Sequence, residues 1–189
     1  ARMMKTGQVR VPEDCSTLEE AVKMVHGDDH LTTIVLGKGE HQIDGGDLMI
    51  SSAMNIVGDP EVPKEEIVVV GGIRFVKGIQ GNCHLQHLTL RQAKRCGVRG
   101  YSSFMMEDVV VERCGGIGVC AWGTGIGRCI NVEVRQCGGS GVGAANGASI
   151  TLIGAKTTVH HNCAQGNSTV HYGLGVYASS STIQLISPL

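Results

Sequence analysis

Four residues able to do chemistry recur at one position of a repeating pattern: Arg91, Glu112, Arg135 and His160 each close a short β-rich run. On one wall of a groove they could bind an anionic ligand through the arginines and move a proton through the histidine. Their signs alternate from Arg91 to Arg135, so they can also pair with one another as an exposed ladder, and we read them as that ladder. His160 and His161 are adjacent, and neighbours in a strand point to opposite faces, so they read as strand positions rather than a general-base pair. Asp44-Gly45-Gly46-Asp47 offers two carboxylates to a cation. Hard cations want six or more oxygens, and the Asp-Gly pattern is turn chemistry, which we prefer. Trp122, the single tryptophan, sits in Ala121-Trp122-Gly123-Thr124-Gly125. It could stack on a sugar or a partner, or cap the side of the fold, and both readings stay open. No metal site and no cofactor is expected.

The elements that must carry these residues are short. The chain has 189 residues with 42% hydrophobic content, 28 glycines, 3% aromatics and a net charge of -1. Abundant Val, Ile and Leu exclude disorder, and glycines off a three-residue period exclude collagen. A near-neutral balance argues against a nucleic-acid or membrane-surface partner. No apolar run is long enough for a membrane span. Ser16 and Glu19 form a capping box, which predicts a helix over 16–26 with Leu18, Ala21, Val22 and Val25 on one face. Strand-like runs follow at Thr32 to Leu36, within Leu48 to Val57, and at Ile67 to Val70, broken by Gly45-Gly46, Gly58-Asp59-Pro60 and Gly71-Gly72.

From His84 to Ile186 an internal repeat is clearest. Leu88 to Arg91, then Cys96-Gly97-Val98, matches Val109 to Glu112, then Cys114-Gly115-Gly116-Ile117-Gly118-Val119. It matches again at Val132 to Arg135, then Cys137-Gly138-Gly139-Ser140-Gly141-Val142, and more loosely at Thr158 to His160, then Cys163 and Gly173 to Val176. A spacing of roughly 21 to 26 residues is that of solenoid coils. Stacking places Leu88, Val109 and Val132, and likewise Leu90, Val111 and Val134, in aliphatic interior columns, with Val98, Val119, Val142 and Val176 as another. His87, Asp108 and Asn131 precede these strands, where a turn wants a side chain bonded to its own backbone. Cys96, Cys114, Cys137 and Cys163 read as one column of free thiols, because stacked side chains are parallel and disulfides need a crossed geometry. Reduced core thiols favour a cytoplasmic setting. One sequon is present, Asn167-Ser168-Thr169.

The residues Val11-Pro12-Glu13-Asp14-Cys15-Ser16-Thr17-Leu18-Glu19-Glu20-Ala21-Val22 resemble a "VPED-x-x-TL-x-EA" opening. Ile34 to His41 resembles an "I-x-V-x-PG-x-Y" strand and turn without its proline and tyrosine, and Asn55-Ile56-Val57-Gly58 resembles the "I-x-I-x-G" strand after it. On these segments the chain resembles the pectin-lyase-like superfamily. Its Cys-Gly-Gly-x-Gly-Val coils are similar to the carbohydrate-binding and sugar-hydrolase type β-helix repeats, some of which bind protein partners in intracellular adaptors. The resemblance spans nearly the whole chain. It implies an all-β fold over 1–189, a single-stranded right-handed parallel β-helix with an N-terminal capping α-helix.

The resemblance names no activity, because this architecture hosts lyases, hydrolases, esterases, epimerases and binding modules. The esterase motifs QDTL and DFIFG and the polygalacturonase motifs NTD, GHG and RIK are missing. Asp59-Pro60-Glu61, the nearest string to the epimerase DPHE, reads as a turn. The expectation is a non-catalytic module that binds a protein or a carbohydrate, or serves assembly. The alternative is a lyase or epimerase on an acidic sugar polymer, using Arg91, Glu112, Arg135 and His160. The last strand, Thr182 to Ile186, lacks an evident cap, so self-association through that end is a further expectation. The chain, which opens on Ala1, reads as a piece of a longer one.

Overall fold

The computed structural model describes residues 7–163, 173–177 and 180–187. In chain order the elements are β1 (Gln8–Val11), α1 (Leu18–Gly27), β2 (Thr33–Leu36), β3 (Gly39–Ile50), β4 (Asn55–Gly58), a 3-10 turn (Lys64–Glu66), β5 (Ile67–Phe75), β6 (Cys83–Arg91), β7 (Val98–Gly100) and β8 (Phe104–Glu112). They continue with β9 (Val119–Trp122), β10 (Ile126–Ile130), β11 (Glu133–Arg135), β12 (Val142–Ala145), β13 (Ser149–Ile153), β14 (Thr158–His160), β15 (Leu174–Tyr177) and β16 (Thr182–Ile186). The sequon at 167–169 lies outside the described residues.

Every strand pairing among the described residues is parallel, and the pairings stack the chain into a three-faced β-solenoid. The first face runs β1, β2, β4, the first half of β6 and of β8, β10, β13 and β16. The second runs from the first half of β3 through β5, the second halves of β6 and β8, then β11 and β14. The third runs from the second half of β3 through the end of β5, β7, β9, β12 and β15.

The interior is built from the aliphatic columns of the repeat. Leu88 pairs with Val109, while Leu90, Val111 and Val134 stack in turn, and all of these are buried. Each such side chain contributes on the order of 1.5–3 kcal/mol through removal from water. The other valine column is Val98, Val119, Val142 and Leu174. Leu174 holds the place expected for Val176, which pairs two residues on with Ala144. Phe75 and Phe104 stack with ring centroids 5.6 Å apart.

Two columns of left-handed backbone make the corners. His87, Asp108 and Asn131 turn the chain from the first face to the second, with φ of 52, 53 and 51°. Gln92, Arg113, Gln136 and His161, with φ from 52 to 56°, end the second-face strands. Gly71-Gly72, expected as a break, lies inside β5 where that strand turns from the second face to the third.

The helix starts one residue later than Ser16 predicts. Thr17 is the cap, its hydroxyl accepting from the Glu20 N–H at 3.2 Å while the Glu20 carboxylate reaches back to the N–H of Thr17, also at 3.2 Å. Glu19 does not close a box on Ser16: its carboxylate accepts the Asp44 N–H at 2.8 Å and ties the helix to β3, while the Ser16 N–H donates to Glu20 at 2.9 Å. Leu18, Ala21, Val22 and Val25 are buried and cover the first coils. No helix is long and apolar enough to cross a membrane among the described residues. At the opposite end, the last described strands expose Leu174, Val176, Leu185 and Ile186.

The cysteines do not form one column of four. Register carries Ala93, Cys114, Cys137 and Asn162 at the same step past the second-face strands. Cys96 comes three residues later in its turn, and Cys163 one residue later, because those two turns distribute their small residues differently. All eight cysteines are free thiols.

Candidate functional site

An open groove of about 850 Å³ runs along the first face near the helix-capped end. Its floor follows from register: Arg10, Val35, Val57, Gln86 and Glu107 stack on five successive strands, one above another. At about 4.8 Å per coil that column is roughly 19 Å long and parallel to the solenoid axis.

One wall is the turn after β4. The Asp59 Oδ1 accepts the Glu61 N–H at 3.0 Å and its carbonyl accepts the Val62 N–H at 3.0 Å, so Asp59-Pro60-Glu61 is a turn. The Asp59 carboxylate also pairs with the Arg10 guanidinium across the groove. Gly58 is required beside it, because a Cβ there would lie 1.9 Å from the His87 carbonyl oxygen.

The other wall is the corner column. His87 Nδ1 donates to the Asp108 carboxylate at 2.7 Å, and its Nε2 donates to the Val62 carbonyl at 2.9 Å. Both partners are acceptors, so the ring satisfies both only as the imidazolium. Partial burial opposes that charge, but the Asp108 carboxylate and the Val62 carbonyl outweigh it and raise the His87 pKa. Lys64 pairs with the other Asp108 oxygen. Burial would raise the Asp108 pKa, yet Lys64 and His87 bring it below the usual carboxylate value. His87 and Asp108 thus bond to each other, not to their own backbone, and Asn131 accepts instead from the Lys156 N–H on the next coil. His84 sits just below, its Nε2 3.8 Å from Glu107, and burial lowers its pKa more than Glu107 raises it.

The lining carries Glu13, Asp14, Asp59, Glu61, Glu107 and Asp108 against Arg10 and His87, a clear acidic excess. This groove was not singled out from the repeat alone. The signal was present in β1, β2 and β4, whose spacing continues the later repeat backward and would have aligned Arg10 with Gln86.

The residues singled out for chemistry lie elsewhere. Arg91, Glu112, Arg135 and His160 do stack on the second face. Arg135 binds Glu112 and Glu133, both at 2.8 Å, and His160 also meets Glu133 at 3.0 Å. Arg91 instead pairs with Glu40, and Glu112 is buried, so the rungs do not form one exposed ladder. Glu112 is the largest cause of the raised Arg135 pKa. His160 and His161 do not point apart: their Nδ1 atoms are 2.6 Å from each other, because His161 leaves the strand in the left-handed conformation. Asp44 to Asp47, expected as a turn, instead lies within β3 at a shift of register, where the Asp44 N–H is held by Glu19 and the Asp47 carboxylate lies over Gly72. Among the described residues no three His, Cys, Asp or Glu side chains are grouped to hold a metal ion. Trp122 ends β9 and lines a separate hollow of about 200 Å³ with Tyr101, Lys77 and Asn146.

Fold and site together define a parallel β-solenoid with an axial acidic groove. No protein-family model matches the chain, and no curated protein does. Among solved structures it is similar to the catalytic domain of a GH87 alpha-1,3-glucanase variant in complex with nigerose, at 13% identity and a TM-score of 0.37. That likeness covers 97% of this chain and 46% of the other, so the chain spans less than half of that domain's length.

Proposed function

We propose that the chain is a non-catalytic binding module of the pectin-lyase-like type, whose axial groove takes a linear, uncharged or amino-bearing glycan. The observation that carries this reading is the floor of equivalent outward positions on five adjacent strands, Arg10 to Glu107, which suits an extended polymer lying along the axis. Ionised carboxylates on both walls accept hydrogen bonds from hydroxyl or ammonium groups. Their ion pairs with Arg10, Lys64 and His87 fix the acceptors before a ligand arrives, which lowers the entropy lost on binding.

Two features count against chemistry. A glycosidase needs one carboxyl kept protonated near neutral pH beside one ionised, and Asp108, held by Lys64 and His87, suits only the ionised role. A lyase or epimerase on an acidic polymer needs its substrate's charge neutralised, and the acidic lining repels such a polymer.

Calorimetric titration with neutral, amino-bearing and uronic-acid oligosaccharides tests the proposal. We expect saturable binding of a neutral or amino-bearing chain, none of a uronic acid chain, and no new reducing ends on incubation. Arg10→Ala, which frees Asp59 and removes part of the floor, should weaken binding by about five- to fifty-fold, the equivalent of about 1–2.3 kcal/mol. Preferential uronate binding, or product release, would overturn it.

A further inference from the structure

One thiol pair on the third face is built differently from the other cysteines. In each turn entering that face, the residue before the glycine reaches over the outward position of the next coil. The Ile117 side chain comes 3.5 Å from where a Gly143 Cβ would be, and the Ser140 hydroxyl meets the Tyr177 hydroxyl. Cys96 holds the same turn position, two residues before Val98 as Ile117 is two before Val119, which sets it against Cys120, the outward residue of the next coil. Register sets Cys120 directly over Arg99, whose Nη2 donates to the Cys96 Sγ at 3.1 Å.

The guanidinium is directed at sulfur. Among the described residues no carboxylate forms an ion pair with Arg99, and its Nε is buried without a partner. The other charged or titratable groups around it are Tyr101, Cys120 and Arg74, which lies one coil below over the Tyr101 ring. The Cys120 thiol donating to sulfur, with Arg99 beside it, outweighs burial and holds the Cys96 thiol below its ordinary range. Cys120 is correspondingly held neutral by that shared bond and by burial. Cys114 and Cys137 also lie against each other, but their thiols donate to the backbone carbonyls of Glu112 and Arg135, and among the described residues no cation bonds to either sulfur. Cys129 is wholly buried and pushed up to about 12. Cys96 keeps 6% of its surface and Cys120 1%, so a small reagent meets Cys96 first.

We propose that Cys96 and Cys120 form a peroxide-reactive dithiol, with Cys96 the attacking thiolate oriented by Arg99 and Cys120 the resolving thiol. The Cys96 sulfur attacks one oxygen of hydrogen peroxide and the O–O bond breaks. The departing hydroxide takes a proton and leaves as water, with Cys96 now a sulfenic acid. The Cys120 sulfur then attacks the Cys96 Sγ, an S–S bond forms, the S–O bond breaks, and the hydroxyl leaves with the Cys120 proton as a second water. The two thiols lose two electrons and the peroxide gains them. This site is independent of the groove.

The test is peroxide treatment of the reduced full chain, alkylation, digestion with trypsin and mass mapping. We expect the peptide 96–99 joined to 114–128, with fragmentation placing the second sulfur at Cys120 rather than Cys114. Cys120→Ser should leave Cys96 trapped as a dimedone-reactive sulfenic acid. Arg99→Met should slow the reaction at pH 7 about tenfold, the loss of thiolate when the Cys96 pKa rises from about 6 to about 8. If Cys120→Ser fails to fold, the linked peptide of the unmutated chain and the Arg99→Met rate decide. Oxidation confined to Cys15 and Cys163, linkage through Cys114, or a rate indifferent to Arg99→Met would each overturn the proposal.

Discussion

At the scale of single residues, the groove depends on a charge trio that no local pattern announces. Asp108 gathers Lys64 from 44 positions upstream and His87 from the preceding coil. The corner positions of His87, Asp108 and Asn131 could be read from their recurrence before each strand. Their partners could not, because a left-handed backbone swings the side chain along the stack rather than back onto its own turn. The trio has a definite pH window. The folded-state pKa of His87 lies above its ordinary 6.5, so its contribution is complete below that value and is lost as pH rises through the raised one. Asp108 lies below its ordinary 3.8, so its contribution is complete above that value and is lost as pH falls through the lowered one. Asp108→Asn should therefore flatten both limbs of the thermal midpoint against pH and lower the His87 titration midpoint measured by NMR. The loss of stability at pH 5 to 6 should stay under ~1 kcal/mol, since these side chains are partly solvated. A His87 titration untouched by the substitution would show that the ion pair is not formed in solution.

At the scale of elements, strand identity was legible wherever aliphatic alternation was clean, as in Leu88-Thr89-Leu90 and Val109-Val110-Val111. Boundaries at glycines were not, because glycine serves both as a strand end, at Gly58, and as a corner within a continuous strand, at Gly71-Gly72. The helix shows the same limit. Ser16-x-x-Glu19 and Thr17-x-x-Glu20 satisfy the same capping rule, and only the reach of Glu19 to Asp44 separates them. Thr17→Ala should cost about 1 kcal/mol in chemical denaturation, and Ser16→Ala close to nothing. The reverse order would return the cap to Ser16. The cysteines misled for a related reason. Cys-Gly matches in letter at Cys96 and Cys114, but the strands on either side set the register, and the two residues fall three steps apart.

At the scale of the molecule, the solenoid turns a one-dimensional repeat into surfaces that no segment contains. The fold was legible because each coil repeats the same interior demand, and stacking satisfies it once the period is known. The groove was not, because its floor is assembled from one residue in each of five coils, and only two of those coils belong to the conspicuous part of the repeat. Among the described residues the same stacking leaves surfaces that include the acidic groove, the hollow beside Trp122, and the apolar side chains around β15 and β16. Backbone amide shifts recorded while a neutral linear oligosaccharide is added separate them. The perturbed amides should form an unbroken line from Arg10 through Val35, Val57 and Gln86 to Glu107, spreading to His87 and Asp108. Perturbations gathered instead around Tyr101 and Trp122, or around Leu174 and Leu185, would contradict the assignment of the groove as the binding site.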